Sequence, residues 1–276
     1  MHKLKGSIVF VGDIHGEPHN VCYNFGGKFP PPDHVIFLGD IGLGFDIKGC
    51  AANSDEMMLR IRLRHIRDSV IPNCKPTTKI WLIRGNHDKM TCWYPHHRES
   101  YWDPIGYGAW TRTMETLYKE FPEITFLRDE VISLNGHYAL CIGGGVSIDK
   151  CFRKKHSTWW PGEEIIGYQR FKHYWPENCK KKIDIILAHT GPKPYCLVNK
   201  SMPFYWNQVL KTTKKALARE ERMIERYISK FKPKLWIHGH FHVNAVTTIS
   251  LPGEEVKGYC VTENCILPFD AVTRHL

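Results

Sequence analysis

Asp13 and His15 stand two apart at the end of an apolar run, Leu4 to Gly16, LKGSIVFVGDIHG. In extended backbone a spacing of two points both side chains to the same side, so a carboxylate and an imidazole converge there as half of a cation site. The pattern recurs four more times. His34 to Leu38 ends on Gly39-Asp40, Lys79 to Ile83 on Arg84-Gly85-Asn86-His87-Asp88, Ile183 to Ala188 on His189-Thr190, and Lys234 to Ile237 on His238-Gly239-His240-Phe241-His242. Asp-x-His alone reads more readily as a turn Asp capping a helix beside a surface His. Five in succession read as one edge to which strands deliver Asp, Asn and His. Oxygen and imidazole donors without thiolate suit Mn, Fe or Zn rather than Cu(I). Two such ions about 3.5 to 4 Å apart, with a carboxylate between them, are the apparatus of phosphoester hydrolysis.

The elements that must position these residues follow from the runs themselves. They are β-branched or aromatic and alternate too little for a half-exposed sheet, so they read as buried strands of an α/β fold with the chemistry at their carboxyl ends. Glu17 to Phe25 is expected as a helix, residues 41–53 as a glycine-rich loop, and Ser54 with Asp55 and Glu56 as the start of a basic helix reaching about Val70. Its apolar stripe is read as Met58, Ile61, Ile66 and Val70. Ile124 to Phe126, Glu130 to Leu134 and Tyr138 to Ile142 read as strands, the last two joined by an Asn135-Gly136 turn. Gly143-Gly144-Gly145 lacks nucleotide-binding spacing and signals close backbone packing. Asn207 to Phe231 reads as a long helix with Leu210, Leu217, Ile224, Tyr227 and Phe231 on one face. The tail reads as two antiparallel strands, Ala245 to Leu251 and Val256 to Thr262, about a Pro-Gly turn.

Composition bounds the rest. A chain of 276 residues, 42% hydrophobic and 24% charged, suits a single domain over residues 1–276, and no apolar run approaches a membrane span. The first residues run straight into a ligand-bearing strand and so are not read as a removable signal peptide, which makes the expected compartment the cytoplasm. The 10 cysteines include no CxxC pair, so they read as reduced thiols, Cys141 within an apolar strand among them. A net charge of +10 and a pI near 9.1 lean toward anionic partners. Two stretches are not needed by the motifs, Thr91 to Glu115 and Asp149 to Lys182. Both mix Trp and Tyr with Lys and Arg and are expected as rim insertions of the site.

In their order GDIHG, GD, RGNHD, AHTG and GHFH, the five motifs resemble the calcineurin-like metallophosphoesterase family and span Gly12 to His242. The resemblance implies a four-layer αββα sandwich of two mixed sheets flanked by helices, holding two divalent ions, Mn²⁺ first with Fe or Zn as alternatives. It implies that Asp13, His15, Asp40 and His242 bind the first ion and that Asp40, Asn86, His189 and His240 bind the second. His87 matches the family's general acid or phosphate-contacting histidine, and Arg84 its phosphate-binding arginine. Asp88 is grouped with them as the residue that orients its neighbour or a loop amide. His238, one register step from the ligands, is expected in an apolar or supporting place.

The implied activity is hydrolysis of phosphomonoesters or phosphodiesters by a metal-bridging hydroxide. The implied partner is a phosphorylated small molecule or a nucleic acid, with a nucleotide or nucleic-acid end favoured by the aromatic and basic insertions. One departure bears on substrate. Protein phosphatases of the superfamily continue the second motif as GDxxDRG, whereas this chain reads Gly39-Asp40-Ile41-Gly42-Leu43-Gly44-Phe45-Asp46. The alternatives carried forward are a nucleic-acid-binding or interaction module with little catalysis, and a phosphoprotein phosphatase.

Overall fold

The apolar runs form strands as expected, and their periodicity of two divides each between two cores. The structure is a computed structural model that describes residues 1–21, 30–43, 55–89, 92–93, 107–147, 150, 153, 163, 181–192, 211–251 and 253–276. In chain order the strands are β1 (Lys3–Leu4), β2 (Ile8–Val11), β3 (His34–Phe37), β4 (Lys79–Leu82), β5 (Ile124–Phe126), β6 (Val131–Leu134), β7 (His137–Ile142), β8 (Ile185–Ala188), β9 (Leu235–His238), β10 (Ala245–Leu251), β11 (Glu254–Cys260) and β12 (Ile266–Pro268). The helices are α1 (Asp55–Val70), α2 (Tyr107–Glu120), α3 (Lys211–Phe231) and the short α4 (Asp270–Thr273). One sheet has the order β12-β2-β3-β4-β5, with β2 to β5 parallel and β12 antiparallel on β2. The other has the order β1-β6-β7-β8-β9-β11-β10, parallel through β7, β8, β9 and β11, with β6 antiparallel to β7 but parallel to β1, and β10 antiparallel to β11.

Odd and even positions of each strand face different layers. Val9, Val11, Val35, Phe37, Ile80 and Leu82 pack under α1 and α2, against Leu59, Leu63, Met114 and Leu117. Phe10, Ile36, Leu38, Trp81 and Ile83 point the other way and meet Ile132, Leu134, Cys141, Ile185, Leu187 and Ile237 of the second sheet. The outer face of that sheet, with Leu140, Ile186, Ala188 and Trp236, is covered by Ile224, Tyr227 and Ile228 of α3. This is the four-layer sandwich of mixed sheets. The central strands are apolar on both faces, which is why they read as continuous rather than alternating runs.

Registers align the site. Val11 lies beside Phe37 and Phe37 beside Leu82, so the loops after β2, β3 and β4 leave the sheet side by side. The β6–β7 hairpin turns on Asn135 at φ 48° and Gly136 at φ 97°, the left-handed pair of a type I′ turn. Gly143 packs where a side chain would meet the Cβ of Arg84 at 2.9 Å, the close approach the glycine run signals.

Three expectations change. The buried face of α1 is Leu59, Leu63, Ile66 and Val70, at helical spacings of four, three and four. Met58 and Ile61 are only partly buried, because their spacing of five from Ile61 to Ile66 cannot keep one face at 100° per residue. The second half of the first insertion is helix α2, which buries Met114 and Leu117. The helix expected over Glu17 to Phe25 begins later, with helical backbone from His19 to Val21 after non-helical Glu17 and Pro18, and residues 22–25 lie outside the described residues. β1, β12 and α4 were not anticipated, being short and without a periodic pattern. Cys74, Cys92, Cys141, Cys260 and Cys265 are free thiols, and no described helix is long and apolar enough to cross a membrane.

At the edge of the first sheet opposite the motifs, Asp33 accepts from Ser7 N and Ser7 Oγ at 2.9 Å each and from Lys75 Nζ at 2.7 Å. The Lys75 bond, then those from Ser7, lower its carboxyl from the ordinary 3.8 to about 2. Because the folded value is depressed, the contribution is complete above the unfolded value and is lost as pH falls through about 2. Asp33→Asn is expected to lower the unfolding free energy by about 1 kcal/mol at pH 7. Urea titrations should find the gap from wild type closing near pH 2, and an equal gap at both pH values would refute the assignment.

Candidate metal centre

Five loops meet above the carboxyl ends of β2, β3, β4, β8 and β9. Asp13 and His15 follow β2, and His240 and His242 follow β9 in the other sheet. His242 Nε2 lies 3.1 Å from Asp13 Oδ2 and 3.1 Å from His15 Nε2. Beside this trio, His189 Nε2 lies 2.7 Å from Asn86 Oδ1, 3.3 Å from Asp40 Oδ1 and 3.2 Å from His240 Nδ1. The ligating atoms of Asp13, His15 and His242 all fall within 4.8 Å of one another, as do those of Asp40, His189 and His240. The structure thus brings the seven residues together, Asp13, His15 and His242 in one group and Asp40, His189, His240 and Asn86 in the other, with Asp40, expected in both, falling in the second.

The donor set fits cations. His189 Nδ1 donates to the Leu38 carbonyl at 2.8 Å, which leaves Nε2 to face two oxygens and a second imidazole. Burial pushes His189 down, but the charges of Asp40 and Asp13 outweigh it and raise it to about 9, so the site demands positive charge at that point. Burial and the neighbouring His189 hold His240 well below the ordinary histidine value, as a neutral lone-pair donor. Burial works against ionisation of Asp40, yet His189 and His87 hold its carboxyl well below the ordinary range. Converging carboxylate oxygens and imidazole lone pairs are satisfied together by divalent ions.

Local backbone explains the motif glycines. His15, Asp40, His240 and His242 all have positive φ, from 44° to 71°, so each loop turns sharply as it leaves its strand. A Cβ on Gly85 would stand 2.0 Å from Asp40 N, and one on Gly239 would stand 2.3 Å from Asp13 Oδ1. These are the places where backbone must pass directly beside Asp40 and Asp13.

The expected catalytic residues take distinct positions. His87 donates its backbone N–H to Asp40 Oδ1 at 2.9 Å, and its Nε2 lies 3.1 Å from Asn86 Nδ2 and 3.7 Å from Asp40 Oδ2. Asp88 is fully buried and accepts the N–H groups of Ile41, Gly42, Leu43 and Gly85 at 2.8 to 3.2 Å. Burial and the charge of Asp40 push its carboxyl up to about 6 against those donors. Arg84 is also buried, its guanidinium donating to the carbonyls of Glu163 at 3.1 Å and Gly143 at 3.3 Å. His238 is buried against Gly191, and burial pushes it down to about 3.

Three residues escaped sequence reasoning. Glu263 Oε1 lies 2.9 Å from His242 Nδ1 and 3.3 Å from His15 Nε2. Ser147 Oγ accepts from Asn86 Nδ2 at 2.8 Å and donates to Glu163 at 2.7 Å. Glu263 follows β11 by three residues, at the same sheet edge as β9, and that adjacency was its only signal. Of the second insertion, Lys154, Lys155, Trp159, Trp160 and Trp175 lie outside the described residues, as do residues 91–106 apart from Cys92 and Trp93. Trp93 is buried with Nε1 donating to the Leu82 carbonyl.

Comparison with known proteins bears on the whole arrangement. Residues 6–244 match the family model described as calcineurin-like phosphoesterase. A serine/threonine-protein phosphatase PP2A-like PPG1 from Candida albicans is 25% identical over 150 residues, which are 51% of this chain and 30% of that protein, so the chain matches under a third of the length of this curated relative. A solved crystal structure superposes at TM-score 0.50 with 11% identity, covering 97% of this chain and 96% of the other. The phosphopantetheinyl hydrolase PptH of Mycobacterium tuberculosis superposes at TM-score 0.44 with 12% identity, over 94% and 90% of the two chains.

Glu263 yields a prediction of its own. Its carboxylate, 2.9 Å from His242 Nδ1, is an anionic neighbour on the side of the ring away from the Asp13 group, the place outer carboxylates take beside metal-binding histidines. Glu263→Ala is expected to weaken Mn²⁺ binding at that group by roughly 10 to 100-fold. The side chain is half-exposed, so the melting temperature should stay unchanged. Unaltered Mn²⁺ affinity by calorimetric titration would remove Glu263 from the site.

Proposed function

Since the chain belongs to the calcineurin-like phosphoesterase family, we propose that it is a metal-dependent hydrolase of phosphoric esters. The observation that carries this reading is the pair of adjacent donor groups, Asp13 with His15 and His242, and Asp40 with His189 and His240. Two divalent ions held there, with Mn²⁺ first, would supply Lewis acidity to phosphoryl oxygens and acidify an attacking water. Asp40 is the residue to be shared between them: its carboxylate already faces His189 from the second sheet and takes the His87 N–H. Replacing it with Asn should reduce both the number of bound ions and turnover, and two ions with full activity would refute the sharing. A cheap first assay is hydrolysis of nitrophenyl phosphate with Mn²⁺, abolished by chelator. Failure of any phosphoester to turn over would favour the interaction-module reading.

His87 is the chain's own candidate to act at the leaving oxygen, being buried beside both groups. A proton on its Nε2 would face the Asp40 carboxylate at 3.7 Å but also the Asn86 amide nitrogen at 3.1 Å. The two neighbours pull in opposite directions, and leaving-group dependence decides between them. As a general acid, His87 lost to Ala should reduce the rate by roughly 10² to 10⁴-fold for an alkyl ester and far less for nitrophenyl phosphate. Equal losses would mark it as an electrostatic contact to the phosphate. Arg84, with its guanidinium on two carbonyls, serves in this reading to fix the loops of Gly143 and Glu163.

For the substrate we favour a nucleotide or nucleic-acid end, supported by the net charge of +10 and by the aromatic and basic residues of 149–182. A phosphoprotein substrate is the second reading, favoured by the similarity to PPG1. Against it, no Asp-Arg pair follows Asp40, and the N–H groups of Ile41 to Leu43 are taken by Asp88. Replacing Arg153, Lys154 and Lys155 with Ala should raise KM for a nucleotidyl substrate and flatten its salt dependence, leaving nitrophenyl phosphate nearly unaffected. Equal effects on both substrates, or none, would return the choice to a panel that includes phosphopeptides.

A further inference from the structure

Asn86 can serve as a ligand only through its Oδ1, since its Nδ2 is a donor, and something must decide which way the amide faces. A chain of hydrogen bonds in the structure makes that decision. Glu163 is buried, and both of its carboxylate oxygens are turned to Ser147: Oε2 lies 2.7 Å from Ser147 Oγ, and Oε1 lies 3.3 Å from Ser147 N. An ionised carboxylate only accepts, so the hydroxyl proton of Ser147 must point at Glu163. The lone pairs of Oγ are then what Ser147 offers to Asn86, whose Nδ2 lies 2.8 Å away. The amide is thereby held with Nδ2 toward Ser147 and Oδ1 toward His189 Nε2, 2.7 Å off, inside the second ligand group. Lys150 Nζ, 3.7 Å from Glu163 Oε1, favours the ionised carboxylate. The Glu163 carbonyl is itself clamped by Gly145 N at 2.9 Å and Arg84 Nη1 at 3.1 Å.

We infer that Glu163 is a positioning residue that acts through Ser147 to fix the amide of Asn86 with its oxygen toward the second cation position. The inference rests on the metal reading of the site. It also gives buried Arg84 a task, since Arg84 holds the backbone that carries the glutamate. The second N–H of the same amide faces His87 Nε2 at 3.1 Å, so the orientation of Asn86 also sets what His87 meets.

Glu163→Gln tests the polarity of the chain at nearly constant volume. Glutamine has one accepting oxygen, and its NH₂ must face either Ser147 N–H, donor against donor, or Ser147 Oγ. In the second case the hydroxyl proton turns to Asn86, and the amide flips its nitrogen into the ligand group. Mn²⁺ titration of the apoprotein should show the second ion binding roughly 10 to 100-fold more weakly in Glu163→Gln, with the first unchanged. Ser147→Ala, which removes the hinge with little change in volume, should give the same pattern. The effect of Glu163→Gln should shrink when Asn86 is also replaced by Asp, because a carboxylate presents an oxygen in either orientation. In the metal-free protein, the side-chain ¹⁵N resonance of Asn86 should shift in Glu163→Gln. Two ions bound by Glu163→Gln and Ser147→Ala as tightly as by wild type would overturn the relay while leaving the metal site standing. A wild-type protein that binds no second ion would overturn the metal reading and the relay with it, and is told apart by needing no variant.

Discussion

The centre depends on where Asp40 is held. At φ 47° it stands at the end of β3, and its carbonyl accepts the N–H groups of Ile14 and His15 at 3.2 and 2.8 Å. Its carboxylate takes the N–H of His87 and looks across to His189 on the second sheet. One residue therefore ties together the loops after β2, β3 and β4 and presents them to the other sheet. Because the contacts use both main chain and side chain, no neighbouring loop can shift without disturbing Asp40. Asp88 supports the same point from beneath, gathering the amides of Ile41, Gly42 and Leu43 with that of Gly85.

Packing between the sheets sets the scale of the site. Face-to-face sheets stand about 10 Å apart, too far for short side chains at two strand ends to share an ion. The loops must bend inward to close that gap, and the left-handed backbone at His15, Asp40, His240 and His242 is how they do so. Each such residue carries strain on the order of 1 to 3 kcal/mol, a large share of the stability of a typical domain. What holds them is a middle layer of fully buried residues, from Phe10 and Ile36 to Leu187 and Ile237. The apolar sandwich is thus part of the site, because it resists the relaxation that would separate the ligands.

Sequence made the ligand-bearing strands legible for a physical reason. Burial on both faces leaves a run of apolar residues, and a ligand cluster at its carboxyl end interrupts that run abruptly, so Val11 to Asp13 or Ala188 to His189 can be read without knowing the fold. The α1 face was misread because Met58 and Ile61 are as apolar as Leu59 and Leu63, and hydrophobicity without exact angular bookkeeping cannot choose between adjacent residues. Helix α2 was hidden by the aromatic and histidine-rich stretch before it. Glu163, Ser147 and Glu263 were illegible for another reason. They reach the site through contacts that close only after the sheets assemble, and an isolated Glu or Ser carries no pattern along the chain. Arg84 shows the converse: its place beside the Asn-His pair was plain, whereas its engagement with the carbonyls of Gly143 and Glu163 depends on a segment distant in sequence.

Charge is arranged in opposition at two scales. The chain carries a formal +10, yet the described residues at its centre include five carboxylates, Asp13, Asp40, Asp88, Glu163 and Glu263, with imidazoles among them. A phosphate approaching those carboxylates alone would be repelled at close range, where the interior screens charge poorly. The same phosphate is attracted at long range by the chain's net positive charge, over about the 8 to 10 Å that salt leaves unscreened. The two fields are reconciled only when cations occupy the ligand groups and invert the local sign. Occupancy of the acidic centre would then be the condition for anion entry, in a chain that sets the buried Asp13, Asp40, Asp88 and Glu163 and the more exposed Glu263 around one centre.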